Sequence, residues 1–467
     1  MKENKIKFID SKDLENLVSK SFVDSTSITD SKAKKNAPID LKDSKKIELL
    51  SPAGNLNKLK IALNYGADAV YGGVSHFSLR NRSGKEFSYE SFLEGVEYTH
   101  KLNKKIYVTI NGFPFNSQIP LLKNHIAKMR DIKPDAFIVA TPGVIKLCKE
   151  IAPNMPLHLS TQANVLNVLD AKVFFDMGVK RIVAAREISL KDIVEIKKEI
   201  PSLEIEIFCH GSMCFAFSGR CLISSLQSGR VPNRGSCAND CRFDYEFYVR
   251  NPDNGVMMRL EEEEGIGTHI FNAKDLNLSS HLDTILQSNA INALKIEGRT
   301  KSPYYAAITT RTYRMIIDDF HNNIQNKELY AFELNTLKNR GFSDGYIIHR
   351  PYERLNTQNR ESALSEGSFQ VNAEVREDGI FAYCKHTIRL GEIKEIIAPL
   401  REEISEISNE IGEIFKQGER FFIKFKKILL ENNNELNEIH SGNVNAFRLP
   451  TKLPKFSFLR QELKEES

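Results

Sequence analysis

The sequence contains no long hydrophobic run. Nothing in it approaches the roughly 18 apolar residues of a membrane span, and its start, MKENKIKFIDSKDLENL, has no apolar stretch of signal-peptide length. We therefore expect a cytoplasmic protein without a membrane partner. In that reducing compartment the seven cysteines are not expected to form structural disulfides, and the odd number leaves one over.

A charge imbalance is also missing. The chain of 467 residues carries 65 Lys and Arg against 61 Asp and Glu, a formal net charge of +4. This value neither requires nor excludes a nucleic-acid partner, because a local basic groove can exist on a balanced protein.

Three motifs that would identify common enzyme classes are absent. No Gly-rich dinucleotide fingerprint follows the first predicted strand, where the sequence reads SPAGN. There is no H-E-x-x-H and no G-x-S-x-G. These absences disfavour a nucleotide-binding open sheet and two widespread classes of peptidase.

From residue 46 onward, short apolar runs alternate with amphipathic stretches, which is the pattern of βα units. The predicted fold class is α/β, a TIM-like (β/α)8 barrel, and a doubly wound open sheet is the alternative. The predicted barrel strands are residues 47–51, 67–73, 105–111, 135–140, 157–162, 181–185, 204–211 and 293–298.

We predict four parts along the chain. Residues 1–44 are rich in Lys, Asp and Ser without a hydrophobic period, so we expect a disordered extension. The barrel spans 45–325 and carries a cysteine-rich cluster loop at 210–242 and a hairpin at 243–264. A helical linker, 326–367, leads to a small C-terminal β/α domain, 368–467.

The C-terminal domain reads as β-rich with one interruption. Residues 393–415 carry isoleucine and leucine at three- to four-residue spacing, which is the period of an amphipathic helix. We therefore expect a helical insertion among the strands of this domain.

Four cysteines, Cys214, Cys221, Cys237 and Cys241, lie within 28 residues at intervals C-x6-C-x15-C-x3-C. Converging thiolates bind zinc or an iron–sulfur cluster. The segment lacks the C-x2-C pair that structural zinc sites often use, and it follows a predicted barrel strand, so we favour iron–sulfur and keep zinc as the alternative.

The other three cysteines have a different setting. Cys148 and Cys384 lie in apolar periods and are assigned to packing. Cys209 ends an apolar strand just before His210, and packing is favoured there over a fifth ligand or a reactive thiol.

Polar residues cluster where the predicted strands end. In a parallel barrel these positions share one rim, the face that carries active sites, although each residue alone could be a cap or a turn residue. His210 and Glu297 are the candidates for general acid–base catalysis. Glu206 is a weaker candidate, because it lies inside its strand and could simply form a buried ion pair.

The run EIEIFCHGSMCFAFSGRCLISS resembles the signature of the collagenase-like peptidase family of unknown catalytic type. The strings LRNRSGKEF, STQAN, RGSCANDCR, NAKDL and KIEGRTKSPYY resemble the tRNA-hydroxylating branch of that family. This resemblance spans roughly residues 46 to 365. It implies a barrel with a 4Fe-4S cluster held by Cys214, Cys221, Cys237 and Cys241, and prephenate-dependent 5-hydroxylation of the wobble uridine of tRNA.

The residue types suit that reaction. Guanidinium and ammonium groups bind carboxylates, so the candidates for the dicarboxylate prephenate are Arg80, Arg82, Arg299 and Lys301. Amide side chains can read the edge of a uridine, and the candidates are Asn111, Gln162 and Asn164. Aromatic rings can stack on the base, and the candidates are Tyr71, Phe77 and Phe87.

Three other functions remain open at this stage. The family name suggests a peptidase, but four thiolates would saturate a metal, and adjacent strand residues such as Cys209 and His210 point to opposite faces. The chain could instead hydroxylate ribosomal RNA, as a longer branch of the family does. It could also be a non-catalytic iron–sulfur or RNA-binding protein.

Overall fold

A computed structural model describes residues 46–74, 77–78, 86–214, 216, 221, 223–228, 240–242, 247–250, 255, 257–260, 273–349, 367–442 and 446–463. The predicted extension, 1–44, lies outside these residues. The rest of the chain, Lys45–Ser467, forms one compact unit.

Twelve strands are described in the first part of the chain. They are β1 (Glu48–Pro52), β2 (Ala69–Gly72), β3 (Lys105–Ile110), β4 (Ala136–Val139), β5 (Leu157–Leu159), β6 (Arg181–Val183), β7 (Glu204–Ser212), β8 (Phe247–Arg250), β9 (Met257–Leu260), β10 (Asp275–Asn277), β11 (Ala293–Ile296) and β12 (Phe342–Ser343).

Eight of these strands close into a parallel barrel. Strands β1 to β7 pair in chain order, and β11 pairs in parallel with β1 on one side and with β7 on the other. All eight coincide with predicted strands, so the TIM-like barrel is confirmed and the open sheet is excluded. The predicted hairpin is also confirmed, as β8 pairs antiparallel with β9.

Ten helices are described among the residues of the structure. They are α1 (Leu56–Asn64), α2 (Tyr89–Lys101), α3 (Ile119–Ile132), α4 (Pro142–Ile151), α5 (Val168–Asp176), α6 (Leu190–Glu199), α7 (Ile223–Ser228), α8 (Leu282–Gln287), α9 (Pro303–His321) and α10 (Lys327–Asn335).

Polar caps set where the barrel helices begin. Asn55, Ser88, Thr141, Ser189 and Ser302 each accept a hydrogen bond from the backbone N–H three residues ahead. Such a cap satisfies one of the N–H groups that a helix start leaves without a partner. Each cap therefore fixes the point at which a loop of the barrel becomes a helix.

The regular secondary structure described in the C-terminal domain is all β-strand, and we call this domain the β-module. Its strands are β13 (Phe369–Val375), β14 (Phe381–Cys384), β15 (Ile388–Arg389), β16 (Ile393–Ile397), β17 (Ile407–Ser408), β18 (Gly412–Gln417), β19 (Arg420–Phe425), β20 (Ile428–Leu429), β21 (Glu435–Leu436), β22 (Glu438–Ile439), β23 (Phe447–Arg448) and β24 (Phe458–Glu462).

The predicted helix at residues 393–415 is therefore wrong. Strand β16 pairs with β19 on one side and β24 on the other, and its two faces are both covered, Ile396 by the core of the β-module and Ile397 by the core of the barrel. Pro399 and the left-handed Arg401 (φ 68°) then end the strand. The apolar residues on both buried faces of β16, together with those after the following loop, happen to have the three- to four-residue spacing of a helix.

Arg460 connects the β-module to the barrel. Its fully buried guanidinium donates to Glu395 (2.7 Å) within the β-module and to Glu333 (2.9 and 3.1 Å) on α10. A further donor lies 2.9 Å from the hydroxyl of Tyr304 on α9. Tyr65 adds a second connection, since its hydroxyl lies 3.0 Å from the carbonyls of Ile397 and Phe456.

No helix in the described part of the chain is long and apolar enough to cross a membrane.

We predict that Arg460→Ala lowers the free energy of unfolding by about 3–5 kcal/mol, because it leaves Glu333 buried without its cation and leaves Glu395 with only the partly exposed Arg420. The matched control is Arg376→Ala in the same module, where a partly exposed arginine pairs with Asp378 and Glu431 and about 1 kcal/mol or less is expected. Urea unfolding of the three proteins measures the difference. Equal losses for the two variants would contradict the assigned role.

Candidate functional site

The carboxyl ends of the eight barrel strands form one rim, and polar side chains follow several of them. Asn111 comes directly after β3 and Ser160 directly after β5. The amide of Asn111 donates to the hydroxyl of Ser160 at 3.2 Å, and both side chains are buried. This contact brings together two of the rim positions that the sequence predicted.

Arg299 is held at the rim by two hydroxyl groups. Its Nη1 donates to Ser78 (2.7 Å) and Thr109 (3.1 Å), and those hydroxyls lie 2.5 Å apart. Gly73 permits this approach, because a Cβ there would lie 2.7 Å from Nη1 of Arg299. A guanidinium has five N–H donors in one plane, so holding Nη1 also fixes the plane in which the group can bind a carboxylate or phosphate.

Arg186, after β6, forms a second rim element with Glu297, after β11. Nη2 of Arg186 lies 2.5 Å from Oε2 of Glu297, and both side chains are more than nine-tenths buried. The guanidinium also lies over the ring of Phe208, 4.1 Å from its centroid. The carboxylate of Glu297 is therefore fixed in the wall of the barrel mouth by an ion pair across two strands.

Strand β7 passes unusually close to Glu297. Gly211 has a φ of +126°, and a Cβ at this position would lie 2.6 Å from the Cβ of Glu297. Only glycine fits both the conformation and the space. Strand β7, which ends at Ser212 two residues before Cys214, therefore lies directly beside the rim carboxylate of Glu297.

His210, a predicted acid–base residue, lies among aromatic rings. Its side chain is 2% exposed and packs against Tyr305 and Tyr313 of α9 and Phe342 of β12. Burial, with a smaller effect of the charge on Lys301, lowers the pKa of His210 to about 3. A β-bulge lies here, where Lys295 faces Phe208 and Ile296 faces His210. The structure thus gives His210 a packing role against the outer helix, neutral at physiological pH.

The remaining predicted binding residues lie at different depths. Lys301 precedes α9, with its ammonium 5.5 Å from the ring centroid of Tyr305. Gln162 is 3% exposed within a 3₁₀ turn (Thr161–Ala163), and Asn164 ends that turn. Arg80 and Arg82 lie outside the described residues.

The three predicted stacking rings are occupied by the fold itself. Phe77 is buried against His125, and Phe87 packs edge-on to Phe92. Tyr71 donates its hydroxyl to the carbonyl of Ile296 at 2.9 Å and lies beneath the ammonium of Lys295. The described residues therefore give no support to the expectation that these rings stack on a base, because each is already part of the packed interior.

Beneath the rim, the barrel interior contains an ion network. Glu206 is completely buried, 2.8 Å from Lys295 and 3.2 Å from Arg181, which also binds Glu48 at 2.6 Å. Burial lowers the pKa of Lys295, while Glu206 acts in the opposite direction. Glu206 is therefore a structural ion pair, as its position inside the strand suggested.

Sequence reasoning did not find the partners that position the rim. Ser78 carried no usable signal, because a serine five residues after a glycine pair is an ordinary loop residue. Thr109 and Lys295 sit in strands where their inward direction follows only from the register of neighbouring strands. Arg186 follows the predicted strand 181–185, but its pairing with Glu297 depends on the closure of the barrel.

Three of the four clustered cysteines are described, and none of them forms a disulfide. Cys214, Cys221 and Cys241 are partly buried. The backbone N–H of Ile223 donates to the sulfur of Cys221 at 3.4 Å, and Ser228 of α7 lies 3.2 Å from Asp240 in the turn that carries Cys241. The segments of Cys221 and Cys241 are therefore in contact.

The donor set fits a soft metal centre in its chemistry. Among the residues that the structure describes, no three His, Cys, Asp or Glu side chains are grouped as metal ligands, and Cys237 lies outside those residues. The fit therefore rests on the donors, which are three cysteine sulfurs on one segment after β7 and an amide N–H that donates to one of them, a contact that stabilises a thiolate.

The other three thiols belong to the core, as predicted. Cys148 and Cys209 are completely buried and Cys384 nearly so. Burial raises the pKa of Cys148 to about 12 and that of Cys384 to about 11, and it raises the pKa of Cys209 well above its usual value. Each is an inert, protonated thiol near neutral pH.

Comparisons with known proteins agree with this arrangement. The chain is 69% identical to "tRNA hydroxylation protein P" of Helicobacter pylori over 90% of this chain and 99% of that protein. It is 35% identical to the protein of the same name in Escherichia coli, over 76% of this chain and 86% of the other. It is 34% identical to the Escherichia coli "23S rRNA 5-hydroxycytidine C2501 synthase", over 59% of this chain and 40% of that protein.

A family model described as "Peptidase family U32" matches residues 54–357, which include barrel strands β2 to β7 and β11, the cysteine-bearing segment and helices α9 and α10. The match covers more than half of the chain. The resemblance found in the sequence is thereby confirmed, and this chain belongs to peptidase family U32.

Proposed function

We propose that this chain is a cytoplasmic tRNA-modifying enzyme that hydroxylates C5 of the wobble uridine, with prephenate as co-substrate and a 4Fe-4S cluster on Cys214, Cys221, Cys237 and Cys241. The observation that carries the activity is the 69% identity, over nearly the full length of the relative, to a protein named for tRNA hydroxylation. The geometry of the rim supports the assignment of individual residues.

The chemistry supports a redox cofactor. Replacing C5–H by C5–OH removes two electrons from the base and adds one oxygen atom, so the reaction needs an oxygen donor and an electron acceptor, and amino-acid side chains supply acid–base and nucleophilic chemistry rather than oxidation. When bound, a 4Fe-4S cluster supplies one-electron redox chemistry beside the barrel mouth. Cys214 lies two residues beyond β7, so the donor segment begins where the rim carboxylate Glu297 is fixed.

The cationic side of the rim suits an anionic metabolite. Prephenate carries two carboxylates, and Arg299 presents a guanidinium already positioned by Ser78 and Thr109. Lys301, two residues further along the chain, adds a second cation at the start of α9. We assign binding of one carboxylate to Arg299, with Lys301 contributing to the attraction.

Loss of the C5 proton requires a base near the substrate. Glu297 is a carboxylate at the barrel mouth, and its 2.5 Å ion pair with Arg186 holds it in one orientation. We therefore assign proton acceptance to Glu297 rather than to His210, whose ring is enclosed by Tyr305, Tyr313 and Phe342.

The peptidase alternative has little support among the described residues. The sulfur of Cys209 is completely buried, 3.5 Å from the carbonyl of Lys295, and its raised pKa keeps it protonated. A cysteine nucleophile needs an exposed thiolate. The ribosomal alternative is weaker for another reason, since this chain covers only 40% of the rRNA synthase that it matches.

Deletion of the gene is expected to remove 5-hydroxyuridine and its derivatives from tRNA, and the wild-type chain is expected to restore them. Nucleosides from purified tRNA, analysed by mass spectrometry, measure this. Arg299→Ala should restore little, whereas Arg130→Ala, which removes an exposed arginine on α3, should restore fully. Undiminished 5-hydroxyuridine derivatives in the deletion strain would remove the proposed activity.

Serine at Cys214, Cys221 or Cys241 is expected to abolish the broad visible absorption of anaerobically purified protein, because an alkoxide is a poor substitute for a thiolate on iron. Cys384→Ser is the matched control, since a hydroxyl can still donate to the carbonyl of His386 and the site is remote from the rim. Absorption spectra with iron and sulfide assays provide the measurement. A colourless wild-type protein that contains zinc would contradict the proposed cofactor.

A further inference from the structure

Asn164 occupies an unusual place at the rim. It ends the short turn Thr161–Ala163 in the left-handed conformation, with a φ of 58°. The hydroxyl of Thr161 donates to the carbonyl of Ala184 at 3.0 Å, and the N–H of Ala185 donates to the carbonyl of Val165 at 3.2 Å. These contacts fix the backbone on both sides of Asn164 across the ends of β5 and β6.

The side chain of Asn164 is not satisfied by the protein. Its Nδ2 and Oδ1 are both shielded from solvent, and within the described part of the chain neither has a hydrogen-bond partner. Native structures rarely bury polar atoms in this way, because the group loses its hydrogen bonds to water and receives nothing in return. A bound ligand could supply the hydrogen bonds that this amide does not form within the protein.

Backbone conformation alone does not explain the asparagine. Asn323 has the same φ of 58°, but its side chain is exposed at the end of α9, where water satisfies the amide. Glycine would adopt the left-handed conformation at Asn164 more easily and would bury no amide. The buried amide of Asn164 therefore lowers the stability of the folded protein, and no hydrogen bond within the described residues offsets that loss.

We infer that Asn164 reads the edge of the target pyrimidine once that base is extruded into the barrel mouth. This inference rests on the proposed function and deepens it, because it assigns recognition of the base to one residue. Uracil presents the O4 acceptor beside the N3–H donor, and a primary amide matches the pair, with Nδ2 donating to O4 and Oδ1 accepting from N3–H.

Pairing of the Asn164 amide with O4 and N3–H of uracil leaves C5, the atom that is hydroxylated, accessible. C5 lies beyond the C4 carbonyl, on the side of the ring away from N3, so an amide on the O4/N3 edge does not cover it. Because both amide atoms are shielded in the free protein, a base reaches them only when the covering side chains move aside. Asn111 and Ser160, joined by their 3.2 Å hydrogen bond, hold the adjacent part of the rim.

The test is Asn164→Gly, with Asn323→Gly as the matched control. Both changes place glycine at a φ of 58°, so they share the same backbone effects, and they differ only in the role of the amide. Each variant is expressed in the deletion strain, tRNA nucleosides are quantified by mass spectrometry, and the melting temperature of each purified protein is measured.

Asn164→Gly is expected to reduce 5-hydroxyuridine derivatives by roughly 10- to 100-fold, the discrimination that one bidentate amide–base contact provides. Its melting temperature is expected to equal or exceed that of Asn323→Gly, because an unsatisfied buried amide has been removed. Asn164→Asp should also fail, since a carboxylate of the same shape cannot donate to O4.

Two results would overturn the inference while the proposed function stands. One is Asn164→Gly restoring modification as well as the wild type does. The other is a loss of modification accompanied by a melting temperature well below that of Asn323→Gly, which would make Asn164 a structural residue. If the wild-type chain itself restores no hydroxyuridine derivative, the proposed function fails, and the inference fails with it.

Discussion

Closure of the parallel barrel is the constraint on which the other features of this protein depend. Strand β11 pairs with β1 through residues 293–295 and with β7 through residues 293–296, so the first and last parts of the barrel sequence become neighbours. This closure puts Glu297 beside Arg186 and Gly211, and it brings Arg299 to Ser78 and Thr109. None of these contacts would exist in an open sheet of the same strands.

The closed barrel also determines what its interior can contain. Glu206, Arg181 and Lys295 are buried together beneath the rim, and Tyr107 binds Glu48 at the lower edge. Taking these charges out of water is costly, and the mutual pairing offsets that cost. These interior charges are thus paired with one another, which leaves chemistry to the rim above them, where Arg299, Glu297 and Asn164 lie.

The sequence predicted the barrel because its signal is local. Each strand is a short apolar run between capped helices, and that pattern does not depend on the partner strand. The same reasoning failed for residues 393–415. Strand β16 is covered on one face by its own module and on the other by the barrel. Its sequence therefore lacks the alternation of apolar and polar residues that marks a half-exposed strand. With that correction, the C-terminal part is a compact β-module anchored by Arg460, and its described residues contain no helix.

The sequence predicted which residues lie at the candidate site better than it predicted their contacts. Glu297, Arg299 and Asn111 could be placed at the rim from the ends of strands alone. The enclosure of His210 could not, because it depends on a bulge in β7 and on rings from α9 and β12, far away in the chain. Likewise, the unsatisfied amide of Asn164 is a property of its surroundings, since the sequence shows only an asparagine in a turn.

The central claim is that a redox metal centre lies at the carboxyl-end rim of this barrel, on the cysteine segment that follows β7. Anomalous diffraction across the iron edge, from crystals of the full chain grown without oxygen, tests it most directly. The account predicts a single strong iron peak within bonding distance of the sulfurs of Cys214, Cys221, Cys237 and Cys241. Electron density for that segment without an iron peak, or a peak that appears only at the zinc edge, would contradict it.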